Sequence, residues 1–505
     1  MATKKVVPYY KNKYWQGTLT VAECEALLQT IGQKAVPELR HCICNLGDDQ
    51  IAYLKEHTEE DMSDMSVGQL TDLQTVGVKF MYLSRRCLIG DQVGLGKTVQ
   101  SAGLMNLLRK NYGYSTLFLT EKTSAEQIRD KLMKFTGRYV ELVQTAENTR
   151  VKKFIATHKE GYDVVGTHAL LSCSSFLAWC AEHPFSCIII DESSIVRTST
   201  TQAYRGAKAL FKKAKYAILL NATPLETTLQ DLYNQLKLVD EPLVPTKTEF
   251  ERAFCKKRPS KNGVYWEIEG YKNANVFNEA VKLRYLAHTR EESGAVCENN
   301  AIEVLQIPQT KIQKRITPLT SLHALVADYP TGVYPDIEYT EETTGKLRVL
   351  VQLMETLKEK KVIIYCKYKE CQKALLSYLT EKGRKPYILN GEVKDTERNR
   401  VITAINTGEV DTLITNIVRA YDVQDCDICI LYSMDGNPQA MVQLFGRITR
   451  EFDIRNKSLY FFVSEGREQA LFENNIKNKA SASLRFTQGS NFVLEHIAHC
   501  NLLDV

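Results

Sequence analysis

From about residue 67 onward, short continuous apolar runs alternate with longer amphipathic stretches, and no other feature restricts the fold as much. The first block of runs is Arg86–Gly90 (RCLIG), Ser115–Thr120 (STLFLT), Asp163–Gly166 (DVVG), Cys187–Asp191 (CIIID) and Tyr216–Asn221 (YAILLN). A second block supplies Val362–Cys366 (VIIYC), Pro386–Leu389 (PYIL), Asp411–Thr415 (DTLIT), Asp427–Tyr432 (DICILY) and Ser458–Val463 (SLYFFV). An apolar run without alternation suits a strand buried on both faces, and the helical-period segments between runs supply the covering layers. The pattern predicts an α/β architecture with two tandem parallel-sheet domains. Residues 240–335, between the blocks, are less regular and richer in Pro and Gly. No short internal repeat is visible.

A length of 505 residues agrees with this, since ~150 residues per domain predicts roughly three domains. With 44% hydrophobic and 25% charged residues, a disordered chain, a collagen-like repeat and a disulfide mini-protein are excluded. The net charge of +5 neither requires nor excludes a nucleic-acid partner, so charge placement must decide. The 14 cysteines are scattered, with close pairs at Cys42/Cys44, Cys366/Cys371 and Cys426/Cys429. The last pair is a lone CxxC inside a run that reads as a buried strand, so structural thiols in a reducing compartment are expected rather than a zinc site. The N-terminus is basic without an apolar core, which argues against a secretory signal. No apolar run approaches the ~18 residues of a membrane span, so no membrane partner is expected.

Residues 1–66 carry a capping-box pattern at Thr20 and Glu23, and Tyr9, Tyr10, Tyr14 and Trp15 interleave with Lys11 and Lys13. Such aromatics either stack on bases or pack within a small accessory domain. A basic cluster at Arg252, Lys256, Lys257, Arg258 and Lys261 reads as a backbone contact, a wedge or a solvated loop.

The chemistry concentrates in four motifs. GDQVGLGKTVQSAGLM at 90–105 follows a strand and opens a helix. Gly94 and Gly96 let backbone N–H groups converge on phosphate oxygens, Lys97 reaches the β- and γ-phosphates, and Thr98 holds Mg²⁺. Asp91 stands where the strict GxxxxGK[ST] form wants glycine. IIIDESS at 188–194 delivers two acids at a strand end: Asp191 to hold Mg²⁺ through its water shell, Glu192 to orient or deprotonate the attacking water. NATPLETTLQDLYNQL at 221–236 places Thr-Pro between a strand and a helix. QLFGRITRE at 443–451 presents Gln443, Gly446, Arg447 and Arg450 over two helical turns, and arginines so remote from the phosphate loop suggest fingers worth ~10³–10⁵ in rate.

In order and spacing these motifs resemble superfamily 2 helicases, and most of all the Swi/Snf-like branch of double-strand DNA translocases. That branch spells its phosphate loop D-E-M-G-L-G-K-T, against DQVGLGKT here, which accounts for Asp91. Asn221–Leu225 matches its T-A-T-P-L motif, QxxGRxxR is complete at 443–450, and Gln74 matches an upstream glutamine that reads adenine. The resemblance covers about residues 67–470. It implies two tandem RecA-like domains, ATP and Mg²⁺ as cofactors, and catalytic roles for Lys97, Asp191, Glu192, Arg447 and Arg450. Nucleotide contacts would come from Gln74, Gly94, Gly96, Lys97, Thr98 and Gln443, and metal contacts from Thr98 and Asp191. Loops carrying Lys122, Thr167, Arg398 and Thr415 would touch nucleic acid.

The implied organisation is an accessory domain at 1–66, a first helicase domain at 67–300 with an insertion near 240–290, a connector at 301–335 and a second helicase domain at 336–505. The implied activity is ATP-driven movement on duplex, forked or branched DNA, serving fork remodelling or branch migration in replication, recombination or repair. The compact chain is similar to bacterial and bacteriophage members, which places it in the cytoplasm of a bacterium or a phage-infected host, with a monomer as the starting expectation. Alternatives are an RNA-directed helicase, the motor of a restriction system, and a scaffold with a dead ATPase core. Ser194 departs from the family's histidine, which links the acids to the motif that couples DNA contact to ATP. Arg419, Ala420 and Tyr421 stand where that motif has glycines.

Overall fold

All ten expected strands form, and for all but the edge strand Pro386–Leu389 burial explains why the runs are continuous. The computed structural model of the chain describes residues 70–226, 228–239, 246–260, 263, 264, 266–281, 284–290, 292, 300–393, 395–417, 423, 425–448, 456–487 and 491–505. The accessory segment 1–66 lies outside the described residues.

Residues 70–292, with 482–487, form one compact unit, and residues 300–481, with 491–505, form another. The first unit holds β1 (Arg86–Ile89), β2 (Thr116–Thr120), β3 (Val140–Val143), β4 (Asp163–Thr167), β5 (Cys187–Ile190) and β6 (Tyr216–Leu220). A two-stranded antiparallel hairpin follows, β7 (Cys255–Pro259) with β8 (Trp266–Tyr271), and then β9 (Tyr285–Leu286). The sheet runs β3-β4-β2-β5-β6-β1-β9, with every pairing parallel. Strand period 2 divides its side chains between two cores. Leu117, Leu119, Ile188, Ile190 and Leu219 enter one cluster, while Phe118, Ile189, Ile218 and Leu220 enter the other. Two helices position the site. The first, α1 (Asp72–Ser84), starts at a Thr71/Gln74 capping box. The second, α2 (Lys97–Tyr112), ends at left-handed Gly113 with Arg109 and Lys110 in its last turn.

The second unit holds β10 (Ala301–Ile307), β11 (Val362–Tyr365), β12 (Pro386–Leu389), β13 (Thr412–Thr415), β14 (Ile428–Leu431), β15 (Ser458–Ser464) and β16 (Leu503–Asp504). Its sheet runs β12-β13-β11-β14-β15-β10-β16, again parallel throughout. If the strands of each seven-stranded sheet are counted from one in chain order, both read 3-4-2-5-6-1-7. These are the tandem RecA-like domains.

Two boundaries move. The stretch 301–335, expected as a connector, begins with β10, which lies between β15 and β16 as the first strand of the second sheet. Its sequence AIEVLQI mixes buried and half-exposed positions, so it lacks the continuous run that marks the other strands. Residues 482–487, expected in the second domain, belong to the first unit. There the Phe486 ring meets Tyr271 and Phe277 at 5.7 and 5.5 Å, and Tyr285 donates to the Thr487 carbonyl at 2.8 Å. Within the insertion, Lys256, Lys257 and Arg258 are exposed on β7, and Lys261 lies outside the described residues.

Among the described residues no helix is long and apolar enough to cross a membrane. Ten described cysteines are free. Burial pushes the Cys426 thiol up to about 12 and that of Cys429 well above the usual thiol range, as inert structural thiols require.

Candidate active site

β1 ends at Ile89 and the chain turns through 90–96 into α2. Gly94 and Gly96 have φ of +98° and +80°, a region that penalises any Cβ. Space is closed as well: a Cβ at Gly94 would stand 2.8 Å from Arg290 Nη2, and one at Gly96 2.4 Å from Gln74 Nε2. Gln74 therefore lies against the phosphate loop. Its Nε2 donates to the Leu95 carbonyl at 3.4 Å, and its Oε1 accepts from the Thr71 N–H.

Lys97 opens α2, and its Nζ donates to the carbonyls of Asp91 (2.6 Å) and Gln92 (3.3 Å). Burial pulls its pKa below that of an ordinary lysine, against the raising influence of Asp91, Glu192 and Asp191. Thr98 is the next residue of the same first turn. Asp191 follows β5, and its Oδ2 accepts from Thr120 at the end of β2 at 3.2 Å. Desolvation, with the neighbouring Glu192 carboxylate, pushes the Asp191 carboxyl up to about 7, although Lys97 opposes the shift. Glu192 sits at φ +46°, a strained conformation for a non-glycine residue that costs about 1–3 kcal/mol. Its Oε2 is buried and has no hydrogen-bond partner in the described structure.

Two crowded carboxylates and an orphaned carboxylate oxygen beside a phosphate loop suit a divalent cation and a polarised water. Among the described residues no group of three or more His, Cys, Asp or Glu side chains could cage a metal.

The structure adds partners that the motifs do not contain. Asp91 is buried, and its Oδ1 accepts from the His288 N–H and lies 2.9 Å from His288 Nδ1. Its Oδ2 accepts from Gln100 of α2 at 2.7 Å. Arg290 donates from Nε and Nη2 to the Val93 carbonyl at 3.1 and 2.8 Å, and its backbone N–H donates to Gln92 Oε1 at 3.2 Å. The segment after β9 thus pins the loop that follows β1. Asp91 replaces the strict pattern's glycine because it is a buried staple.

Ser194 belongs to a second network. It donates to Glu226 and accepts from Asn221 Nδ2 at 3.2 Å, while Ser193 and Asn221 both donate to Gln235 Oε1, at 2.7 and 3.1 Å. Glu226 also pairs with Arg197. The segment that follows the acids after β5 is therefore bonded directly to the Asn-Ala-Thr-Pro segment after β6, through Ser194 and Asn221, with a serine where the family has histidine. His168 also approaches this strand end, its Nε2 2.7 Å from the Asp191 carbonyl.

The residues expected to touch nucleic acid divide. Lys122 is exposed in the turn after β2. The other three are buried. Thr167 is only 2% exposed at the end of β4. Thr415 is fully buried, and its hydroxyl bonds the backbone of Ile417. Arg398 is buried and donates to the Val393 carbonyl at 3.4 Å. Thr415 and Arg398 thus bond the backbone of their own loops, while Thr167 Oγ1 is shielded and has no hydrogen-bond partner among the described residues. In the second unit, Gln443 is buried on the helix Pro438–Ile448. That helix also carries Arg447, whose side chain lies outside the described residues, as does Arg450.

Two family models match the chain, the SNF2-related domain over residues 51–294 and the helicase conserved C-terminal domain over 345–451. One relative is the SWI/SNF-related matrix-associated actin-dependent regulator of chromatin subfamily A-like protein 1 of Xenopus laevis. It is 22% identical over 477 residues, covering 88% of this chain and 46% of the relative. Another is the ATP-dependent DNA helicase DDM1 of Arabidopsis thaliana, 23% identical over 439 residues, covering 76% and 57%. The chain spans about half the length of these curated relatives. Among solved structures, the Sulfolobus solfataricus SWI2/SNF2 ATPase core in complex with dsDNA is 20% identical at a TM-score of 0.41, covering 82% of this chain and 94% of that one.

Proposed function

We propose that this chain, which carries the SNF2-related and helicase C-terminal domains of a SWI/SNF-type superfamily 2 ATPase, couples ATP hydrolysis to movement along duplex DNA. The observation that carries this reading is the convergence of Lys97, Asp191 and the orphaned Glu192 oxygen at the carboxyl edge of the first sheet. In this reading Lys97 leaves the loop carbonyls for the β- and γ-phosphates, and Gln74 contacts the base. Glu192, held by its strained backbone, orients the attacking water and takes its proton. Mg²⁺ held by Thr98 and, partly through water, by Asp191 would supply positive charge against the phosphate oxygens. Arg447 and Arg450 are assigned to the charge that develops on the transferring phosphoryl group, and Gln443 to nucleotide binding.

The duplex grip is assigned to exposed Lys122 and to the β7–β8 hairpin. Val264 and Trp266 are 79% and 66% exposed beside Lys256, Lys257 and Arg258. Part of that charge is met locally, Lys257 by Glu251 and Arg258 by Glu267, so the hairpin suits an aromatic wedge better than a bare phosphate clamp. Fork remodelling or branch migration in replication, recombination or repair is the substrate reading that such a wedge favours. A bacterial or phage setting, in the cytoplasm, belongs to the same proposal, although the relatives named above are eukaryotic.

The test is steady-state ATPase over single-stranded, duplex, forked and four-way DNA, with RNA as control. Duplex and branched DNA should stimulate turnover at least tenfold, and Trp266→Ala should lose the advantage of branched over linear duplex. Equal stimulation by RNA would replace this reading with an RNA-directed one.

A further inference from the structure

Each sheet brings its first and sixth strands side by side. In the first unit this pair is β6 and β1, and the phosphate loop grows from the end of β1. In the second unit it is β10 and β15, in register from Ala301↔Ser458 to Ile307↔Ser464. Ligands of open α/β sheets gather at the carboxyl ends of the strands. A cavity of about 490 Å³ opens there, within the range of small-ligand sites. Its lining includes Gln309 after β10, Thr320, Ser321 and His323 in the following segment, and Gly466 and Arg467 after β15.

The lining has a definite chemistry. It contains no acidic residue. Arg467 is exposed and makes no hydrogen bond or ion pair among the described residues. Nδ1 of His323 is shielded from water and has no hydrogen-bond partner there either. Glu465, next to the cavity in sequence, is already engaged: it accepts from the Gln309 N–H at 3.2 Å and pairs with Lys314 at 3.2 Å. What remains is an uncompensated guanidinium, an unmet ring nitrogen and serine and threonine hydroxyls. A guanidinium fork matches tetrahedral oxyanions in both geometry and charge.

We propose that this cavity is an anion site of the second unit, which binds a phosphate group through Arg467, with His323 and Ser321 as further donors. The phosphate is carried either by a phosphorylated small molecule or by a nucleic-acid backbone. The site does not depend on the ATPase chemistry of the first unit.

The experiment uses the full chain with its phosphate loop saturated by a non-hydrolysable ATP analogue. Pyrophosphate is titrated by calorimetry, and duplex DNA is titrated over a series of salt concentrations. If small molecules are the source, Arg467→Gln weakens pyrophosphate at least tenfold and leaves the duplex affinity unchanged. If a backbone phosphate is the source, Arg467→Gln lowers duplex affinity five- to tenfold, and the slope of log K against log salt falls by about 1. Ser321→Ala, also on an exposed residue, should weaken the same ligand about threefold. Wild-type binding of both probes by both variants, at an unchanged melting temperature, overturns the proposal. DNA-independent ATP turnover should stay at the wild-type rate in both, so failure here is distinct from failure of the motor reading.

Discussion

The two units share a strand order, and each opens the helix that leads into its second strand with a glycine–lysine pair, yet the lysines do opposite work. Lys97 touches only loop carbonyls and stands beside Asp191 and Glu192, one of which keeps an unmet oxygen. Lys346, on the helix Gly345–Thr356, is fully buried and pairs with Asp328 at 2.7 Å and Glu468 at 2.9 Å. Burial alone would lower the Lys346 pKa, but the two carboxylates more than reverse this, and the pKa rises. Burial raises the carboxyls of Asp328 and Glu468, against the pull of Lys346. In the second unit the lysine is bonded to both acids. In the first, Lys97 is bonded to neither and spends its hydrogens on loop carbonyls. One topology thus gives a candidate catalytic site or a structural triad, according to whether the lysine is bonded to the acids.

The hardest test of this contrast exchanges the two lysines' fates. Lys97→Ala should lower ATP turnover by at least ~10³ with little change in the denaturant midpoint, because charge stabilisation of phosphoryl transfer is lost while the fold is spared. Full turnover in this variant would end the motor assignment. Lys346→Met should do the reverse. It leaves two buried carboxylates uncompensated, at a cost of about 3–5 kcal/mol read by urea unfolding, while the folded fraction keeps its turnover per molecule. Next comes Arg290→Ala, which removes two hydrogen bonds onto the phosphate loop. With charged hydrogen bonds worth about 1.5–3 kcal/mol, KM for ATP should rise at least tenfold, with a smaller fall in kcat and Arg290→Lys in between. A merely structural role would instead lower the melting temperature and leave KM in place.

The smallest effect is pH dependence. With the Asp191 carboxyl near 7, protons compete with Mg²⁺ below that pH, so Mg²⁺ affinity should rise about tenfold from pH 6 to pH 8. Asp191→Asn should flatten the profile. A profile that falls with rising pH would contradict the assignment.

Legibility in the sequence followed burial. Nine of the ten expected strands are buried along most of their length, and a strand covered on both faces needs an unbroken apolar run; edge strand β12 is half-exposed. β3, β9 and β16 were missed because edge position or brevity relaxes that need, and β10 because half-exposed positions interrupt its apolar run although it lies inside the sheet. At the site, Lys97, Asp191 and Glu192 were legible because strand, turn and helix bring them in by local rules. His288 and Arg290 were not, since they reach the loop only through the pairing of β9 with β1. The burial of Thr167, Thr415 and Arg398 was not legible either, because motif position fixes a residue's place in the chain, not the direction of its side chain.

The amino-acid sequence by itself therefore determined two parallel sheets, a phosphate loop and a pair of acids, since periodicity and turn chemistry act over a few residues. The tertiary structure decided which charges are met. It pinned the loop through Asp91, His288 and Arg290, joined Ser194 to Asn221, closed the Lys346 triad and left Glu192 and Arg467 with bonds to make. Whether a charge is compensated depends on which distant segments share a buried space, and only folding brings those segments together.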